Sequence, residues 1–189
     1  MDPDVLVPWF PAWGMNFSKP IESIFSIVSE FNEFRPSNRW LLASFDVIAS
    51  EVHLWGTWYS LRRNEESGSM VAKTPDAEFL RILAGTHQIS RAFERAGLSE
   101  GDARAWIISL PEIEIGEGFG EFKIPRDCYS DLCEEGYRII EQIGGSIIPK
   151  RPVPSEEGLE KLGSSAAGSS KEDDLEGRFL AHMALADLR

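Results

Sequence analysis

Between residues 73 and 97 two helix starts follow one another, and this stretch constrains the fold more than any other part of the chain. Thr74 can accept a hydrogen bond from a free amide, and Pro75 presets φ at a position that needs no amide donor. Asp76 and Glu78 favour the positive end of the helix dipole. The pattern predicts a first helix that ends at Gly85, followed by a sharp turn.

The second helix start reuses that turn. Thr86 is placed to cap it, and Ile89, Ala92 and Phe93 fall on one face at helical spacing before Gly97 stops the helix. Free backbone amides at such a helix start suit a phosphate or a carboxylate. Good caps also occur on ordinary surface helices, so a purely structural corner is the alternative interpretation.

The residues around this turn resemble one known family. The run from 72 to 74, an acidic and apolar helix, and the run from 84 to 93 are similar to the small kinase-binding subunit of the KEOPS complex, the PRPK-binding protein family. The resemblance continues through an apolar strand at 105–110 and a closing helix around Met183. It covers roughly residues 40 to 149 and the final helix.

The resemblance implies a non-catalytic adaptor or regulatory subunit of the complex that makes threonylcarbamoyladenosine on tRNA. Such subunits dock on the amino-terminal lobe of a small atypical protein kinase and help to hold the single-stranded 3′ end of the tRNA. Lys73, Thr86, Gln88 and Ile89 match the family's motif, and with His87 they form the expected tRNA-binding set. Many relatives are expected to carry an arginine before the glutamine, so histidine replaces a fixed charge here.

The kinase contact is expected to be hydrophobic. Apolar residues left exposed by the helices at 75–96 and 173–188 would form one patch for the partner. Packing of the final helix on its own domain is the alternative for the same apolar face. The residues predicted to contact the partner are Phe79, Leu83, Phe179 and Met183.

The charge of the chain limits how it can meet RNA. Against 31 acidic residues stand 19 basic ones, and the formal net charge of −12 repels nucleic acid at long range. A tRNA contact would therefore be local, through unpaired bases in one small site, with other subunits of the complex supplying the positive field. The alternative function is a module that binds the kinase only and does not contact tRNA.

Other function classes lack support in the sequence. The three histidines show no metal-binding spacing, Cys128 and Cys133 have no companion ligands, and the glycines at 116–120 do not have the spacing of a phosphate loop. We therefore expect no catalysis, no cofactor and no metal. Two cysteines, an acidic start at Asp2 and no long apolar run favour a reducing cytoplasm and no membrane insertion.

The predicted fold is α+β, a small and largely antiparallel sheet packed against several helices in a single domain. Residues 1–38 are predicted to form an aromatic and proline-rich arm and a helix, and residues 39–189 the KEOPS small-subunit-like domain with a flexible linker near 163–172. His53 is interpreted as a surface or satisfied core residue. Strands are expected at 40–48, 103–110 and 147–148 with a hairpin at 112–124, and helices at 21–34, 51–64, 127–143 and 173–188.

Overall fold

A computed structural model describes residues 7–113, 126–164 and 175–187, and within these ranges seven helices pack against one four-stranded antiparallel sheet. This architecture confirms the predicted α+β class. The elements in chain order are β1 (Ala12–Phe17), α1 (Ile24–Phe34), β2 (Trp40–Ser44), α2 (Glu51–Ser67), α3 (Pro75–Leu83), α4 (Ile89–Ala96), β3 (Arg104–Ser109), α5 (Arg126–Gln142), β4 (Gly145–Ile148), α6 (Glu156–Lys161) and α7 (Leu175–Ala184).

The strand order β2-β3-β1-β4 places β1 in the interior of the sheet. Ala12 pairs with Ile108 on one side, and Gly14 pairs with Ile148 on the other. The prediction that residues 1–38 hold an extended arm before the first helix is therefore wrong for the segment that forms β1. The strand contains no proline, since Pro8 and Pro11 both precede it, so its ladder of hydrogen bonds is unbroken.

Helices cover both faces of the sheet, which explains why the strands lack a polar face. In β2, Leu41 and Ala43 belong to the core beneath α2, α3 and α7, whereas Trp40 and Leu42 belong to the core beneath α1 and α5. This alternation follows the two-residue period of a strand, and both sides are apolar because both are buried. A Cβ on Gly136 would lie 2.8 Å from the indole of Trp13, so a glycine there lets α5 approach the sheet.

Local signals placed most of the described helices correctly. Ser50 accepts a hydrogen bond from the His53 amide at 3.1 Å, and Ser155 accepts one from Gly158 at 3.1 Å, so both residues cap helices as predicted. The strand predicted at 40–48 is shorter than expected, because residues 45–47 form a 3₁₀ turn.

Several predicted features lie outside the described residues. These are most of the hairpin predicted at 112–124, with its glycine turn, and most of the linker predicted near 163–172. The same holds for the side chains of Asp127 and Cys128. Cys133 is a half-buried free thiol that packs against the core beneath α1 and α5, in agreement with a structural role.

Arg151, in the connector after β4, clamps the chain that leads into β1. Its guanidinium makes two bonds to the Glu51 carboxylate, Nε–Oε1 at 2.5 Å and Nη2–Oε2 at 2.9 Å, and also donates to the carbonyls of Ala12 and Phe10. The same carboxylate accepts a hydrogen bond from the Phe10 amide at 2.6 Å. One planar cation thus joins the start of α2, the entry to β1 and the exit from β4.

We expect Arg151→Gln to lower the free energy of unfolding by about 2–3 kcal/mol, because it leaves the partly buried Glu51 carboxylate without its cation. Its neighbour Lys150 is exposed and has no ion pair among the described residues. Lys150→Gln is the matched control and should change stability by less than about 0.5 kcal/mol. Urea unfolding measures both, and equal stabilities of the two variants would contradict the clamp.

Candidate functional site

The turn between α3 and α4 lies at one end of α3, and Lys73 lies before the other end of that helix; we use "the corner" for Lys73 and residues 84–91 together. Lys73 and Gln88 are exposed, whereas Thr86, His87 and Ile89 are half-buried. The structure therefore places four of the five predicted tRNA-binding residues next to one another at the start of α4. Lys73 precedes α3, so the nine residues of that helix, about 14 Å at 1.5 Å per residue, separate it from the turn.

The start of α4 differs from the predicted cap. The helix begins at Ile89, its N-cap residue is Gln88, and the Gln88 side chain makes no capping hydrogen bond. Thr86 Oγ1 instead accepts a hydrogen bond from the Gln88 amide at 3.2 Å, so Thr86 stabilises the turn before the helix. The first turn of α4 contains no acidic residue. Gln88 thus does not cap the positive dipole end, and the first turn of α4 adds no negative charge of its own, which favours an anion there.

A buried ion pair holds the two sides of the corner together. Glu78 and Arg81 are almost completely buried, and Arg81 donates from Nη2 to Glu78 Oε1 at 2.7 Å and from Nε to Oε2 at 3.0 Å. Glu78 also accepts from the amide of Ala72 at 2.8 Å, directly before Lys73. Arg81 Nη1 donates to the carbonyl of Thr86 at 3.3 Å. The pair therefore fixes the backbone at both ends of the corner.

The acids at the start of α3 were predicted to act on the helix dipole, and the structure gives them more specific partners. Asp76 pairs with Arg35 at 2.6 Å, which ties α3 to the end of α1. Burial alone would raise the pKa of Glu78, but hydrogen bonds from Arg81, Ala72 and Asn64 and the charge of Arg81 hold it below its ordinary value. Glu78 is thus a carboxylate in the folded protein.

Hydrogen bonds join the last helix and the residues just after it to α3 and to the turn that follows α3. Arg81 Nη1 donates to the Ala186 carbonyl at 2.8 Å, and His182 Nε2 donates to the Ala84 carbonyl at 3.0 Å. Gly85 has φ +57, and a Cβ there would lie 2.3 Å from the His182 carbonyl oxygen. Only glycine fits this turn, because both the left-handed backbone and the contact with α7 exclude a side chain.

The predicted kinase-binding residues do not form a surface. Phe79, Leu83 and Phe179 are fully buried in the core, so these three side chains stabilise the fold and are not available to a partner. Met183 is half-buried, and its sulfur accepts a hydrogen bond from Thr57 Oγ1 at 3.0 Å. Phe79, Leu83 and Phe179 therefore cannot belong to the hydrophobic patch predicted on 75–96 and 173–188, because these side chains pack on their own domain. In the same ranges Phe93 and Leu185 are exposed.

His53 lies beneath the corner in an apolar environment. It is completely buried, its Nδ1 accepts from the Ala49 amide at 3.3 Å, and its Nε2 has no hydrogen-bond partner in the described part of the chain. Burial, assisted by nearby His182, lowers the pKa of His53 to about 3. Burial also lowers the pKa of His182, although its hydrogen bond to Ala84 acts in the opposite direction. His53 is therefore a core residue, as one of the two interpretations expected, but only its Nδ1 has a hydrogen-bond partner among the described residues.

Sequence reasoning missed the positioning role of Glu78 and Arg81. A signal was present, because two opposite charges stand three residues apart in a run that also contains Phe79, Leu80 and Ile82. Charged residues on the buried side of such a helix are rare unless they are paired.

Other kinds of site receive no support from the described ranges. Within residues 7–113, 126–164 and 175–187, no cluster of three or more His, Cys, Asp or Glu side chains has a geometry that could hold a metal ion. None of the helices described there has the length and apolarity needed to cross a bilayer. No protein-family model matches the chain, and a comparison with curated proteins finds no match.

We expect Glu78→Gln to lower the free energy of unfolding by about 3–5 kcal/mol, because it leaves the Arg81 guanidinium buried without its counter-charge. Glu66→Gln is the control: this side chain is about half exposed and lies 3.9 Å from Arg62. Its effect should be below about 0.5 kcal/mol. Urea unfolding measures both, and a small effect at Glu78 would contradict the role of the buried pair.

The low pKa of His53 predicts how stability changes with pH. The unfolded chain takes up a proton near pH 6.5 and the folded chain does not, so His53 destabilises the fold as pH falls below 6.5. The loss is about 1.4 kcal/mol for each pH unit, or about 2 kcal/mol at pH 5. His53→Asn keeps an acceptor near the Ala49 amide and should flatten the decrease between pH 7 and 5. An unchanged pH dependence in thermal unfolding of this variant would show that His53 is not the group responsible.

Proposed function

We propose that this chain is a non-catalytic adaptor subunit of a KEOPS complex, which binds the small atypical kinase and helps to hold the 3′ end of tRNA for threonylcarbamoyladenosine modification. The proposal places it in the cytoplasm and assigns it no cofactor. Its support is the resemblance at residues 72–74 and 84–93 together with the geometry of the same residues. The observation that carries it is the open start of α4, which has no side-chain cap and no acid and lies beside exposed Gln88.

The corner suits a short stretch of unpaired nucleotides better than a duplex. The amides at the start of α4 are of the right sign for one phosphate, and the Lys73 ammonium, at the other end of α3, is of the right sign for a second phosphate further along the strand. Gln88 has both a donor and an acceptor for a base edge. His87 and Ile89 are half-buried and offer ring and apolar surface for a base. A contact of this size is compatible with a net charge of −12, since it needs few cations.

The kinase-only function is the second candidate, and the acidic charge of the chain favours it. The two candidates make the same prediction for kinase binding and differ only at the corner. A change at the corner should alter tRNA binding under the adaptor hypothesis and should have no effect on any RNA contact under the alternative.

The test compares intact tRNA with tRNA that lacks its unpaired 3′ nucleotides, at low and moderate salt. Intact tRNA should bind more tightly, and Lys73→Glu should weaken its binding about tenfold and remove the advantage of the 3′ end. Lys150→Glu makes the same charge change at an exposed lysine away from the corner and should retain the advantage. Gln88→Ala repeats the test without a change of charge.

Two results would decide against the tRNA role. The first is equal binding of the intact and shortened tRNAs by the wild-type chain. The second is an equal effect of Lys73→Glu and Lys150→Glu, since this would reflect general electrostatic repulsion and no local site. Either result, with kinase binding intact, would favour the kinase-only function.

A further inference from the structure

An apolar groove of about 740 Å³ runs between α1 and α4. We call it the α1–α4 groove. Its floor is formed by residues that belong to the two cores, such as Phe31 and Leu80, and its walls come from the two helices. Its apolar lining includes Ile24, Val28, Phe31, Leu80, Phe93 and Leu98.

The groove exposes apolar side chains that the described residues leave partly uncovered. Phe93 is 49% exposed and Val28 is 37% exposed, although both line the groove. In α1 Phe31 is buried and Ile24, Ile27 and Phe34 are half-buried against the core, so Val28 is the apolar residue of this helix that the groove leaves exposed. Apolar area of this kind, collected in one concave surface, is typical of an interface.

The charges at the rim are unbalanced. Four charged residues line the groove, and two of them, Arg35 and Asp76, neutralise each other at 2.6 Å. The other two, Glu94 and Glu100, are exposed carboxylates without an ion pair in the described part of the chain. The groove therefore combines an apolar floor with a negative rim.

The negative charges of Glu94 and Glu100 favour some binding partners of the groove over others. A second copy packed through the same face would bring the carboxylates of two acidic chains together, and a nucleic acid would bring phosphates to them. An apolar protein surface flanked by lysine or arginine complements both the floor and the rim. We propose that the α1–α4 groove receives such a basic, apolar surface from the kinase, which places the kinase contact on α1 and α4. This inference rests on the proposed function for the identity of the partner.

The test measures the affinity of the full chain for the purified kinase by calorimetry. Val28→Asp and Phe93→Asp each add a charge at a partly exposed site, so both variants should fold, and each should weaken binding about tenfold or more. Val153→Asp and Tyr137→Asp are matched controls at exposed sites outside the groove and should bind as the wild type does. Glu94→Lys combined with Glu100→Lys should weaken binding several-fold and make it less sensitive to salt.

Each contrary result has a distinct meaning. If the wild-type chain binds the kinase and the groove variants bind equally well, the proposed surface is wrong and the proposed function stands. If the wild-type chain does not bind the kinase, the proposed function fails and the assignment of the groove fails with it. If the chain alone forms a dimer in sedimentation and Phe93→Asp dissociates it, the groove is a self-association surface and the proposal is overturned.

Discussion

The buried ion pair of Glu78 and Arg81 is the interaction on which the candidate site depends. Replacing such a pair with apolar residues is often neutral or stabilising, so its effect on net stability does not explain it. Its geometry offers a better explanation, because the hydrogen bonds that the two residues do not make to each other reach several separate segments of the chain. Glu78 binds Ala72, Arg81 binds Thr86 and Ala186, and the two residues bind each other. The pair thus sets the position of the corner relative to the last helix.

Segments near both ends of the described chain pack in the interior of the fold. β1 is an interior strand although it lies near the beginning of the sequence, and α7 lies under the corner although it is the last helix. Arg151 fixes the entry to β1, and Arg81 fixes the end of the α7 region through Ala186. Contacts between residues so far apart in sequence make the corner a product of the whole domain and not of the α3 and α4 segment alone.

The sequence predicted the elements that have local signals. Caps and stops such as Ser50, Pro75 and Gly97 placed their helices within a few residues, because each acts on its own turn of backbone. β1 was missed because both faces of the strand are buried, so it has no alternation, and the prolines before it resemble those of a linker. Phe79, Leu83 and Phe179 were assigned to a partner although they are core residues, because an apolar helix face does not indicate whether its own domain or another protein covers it.

The corner combines a buried ion pair as its support with a helix start that has no acidic residue in its first turn. The most direct measurement is photocrosslinking of a tRNA that carries 4-thiouridine in its unpaired 3′ end, followed by tryptic digestion and mass spectrometry. We expect the label on the peptide of residues 82–91, which spans Gly85 to Ile89. Labelling confined to other peptides, or labelling that does not depend on the 3′ end, would contradict the account.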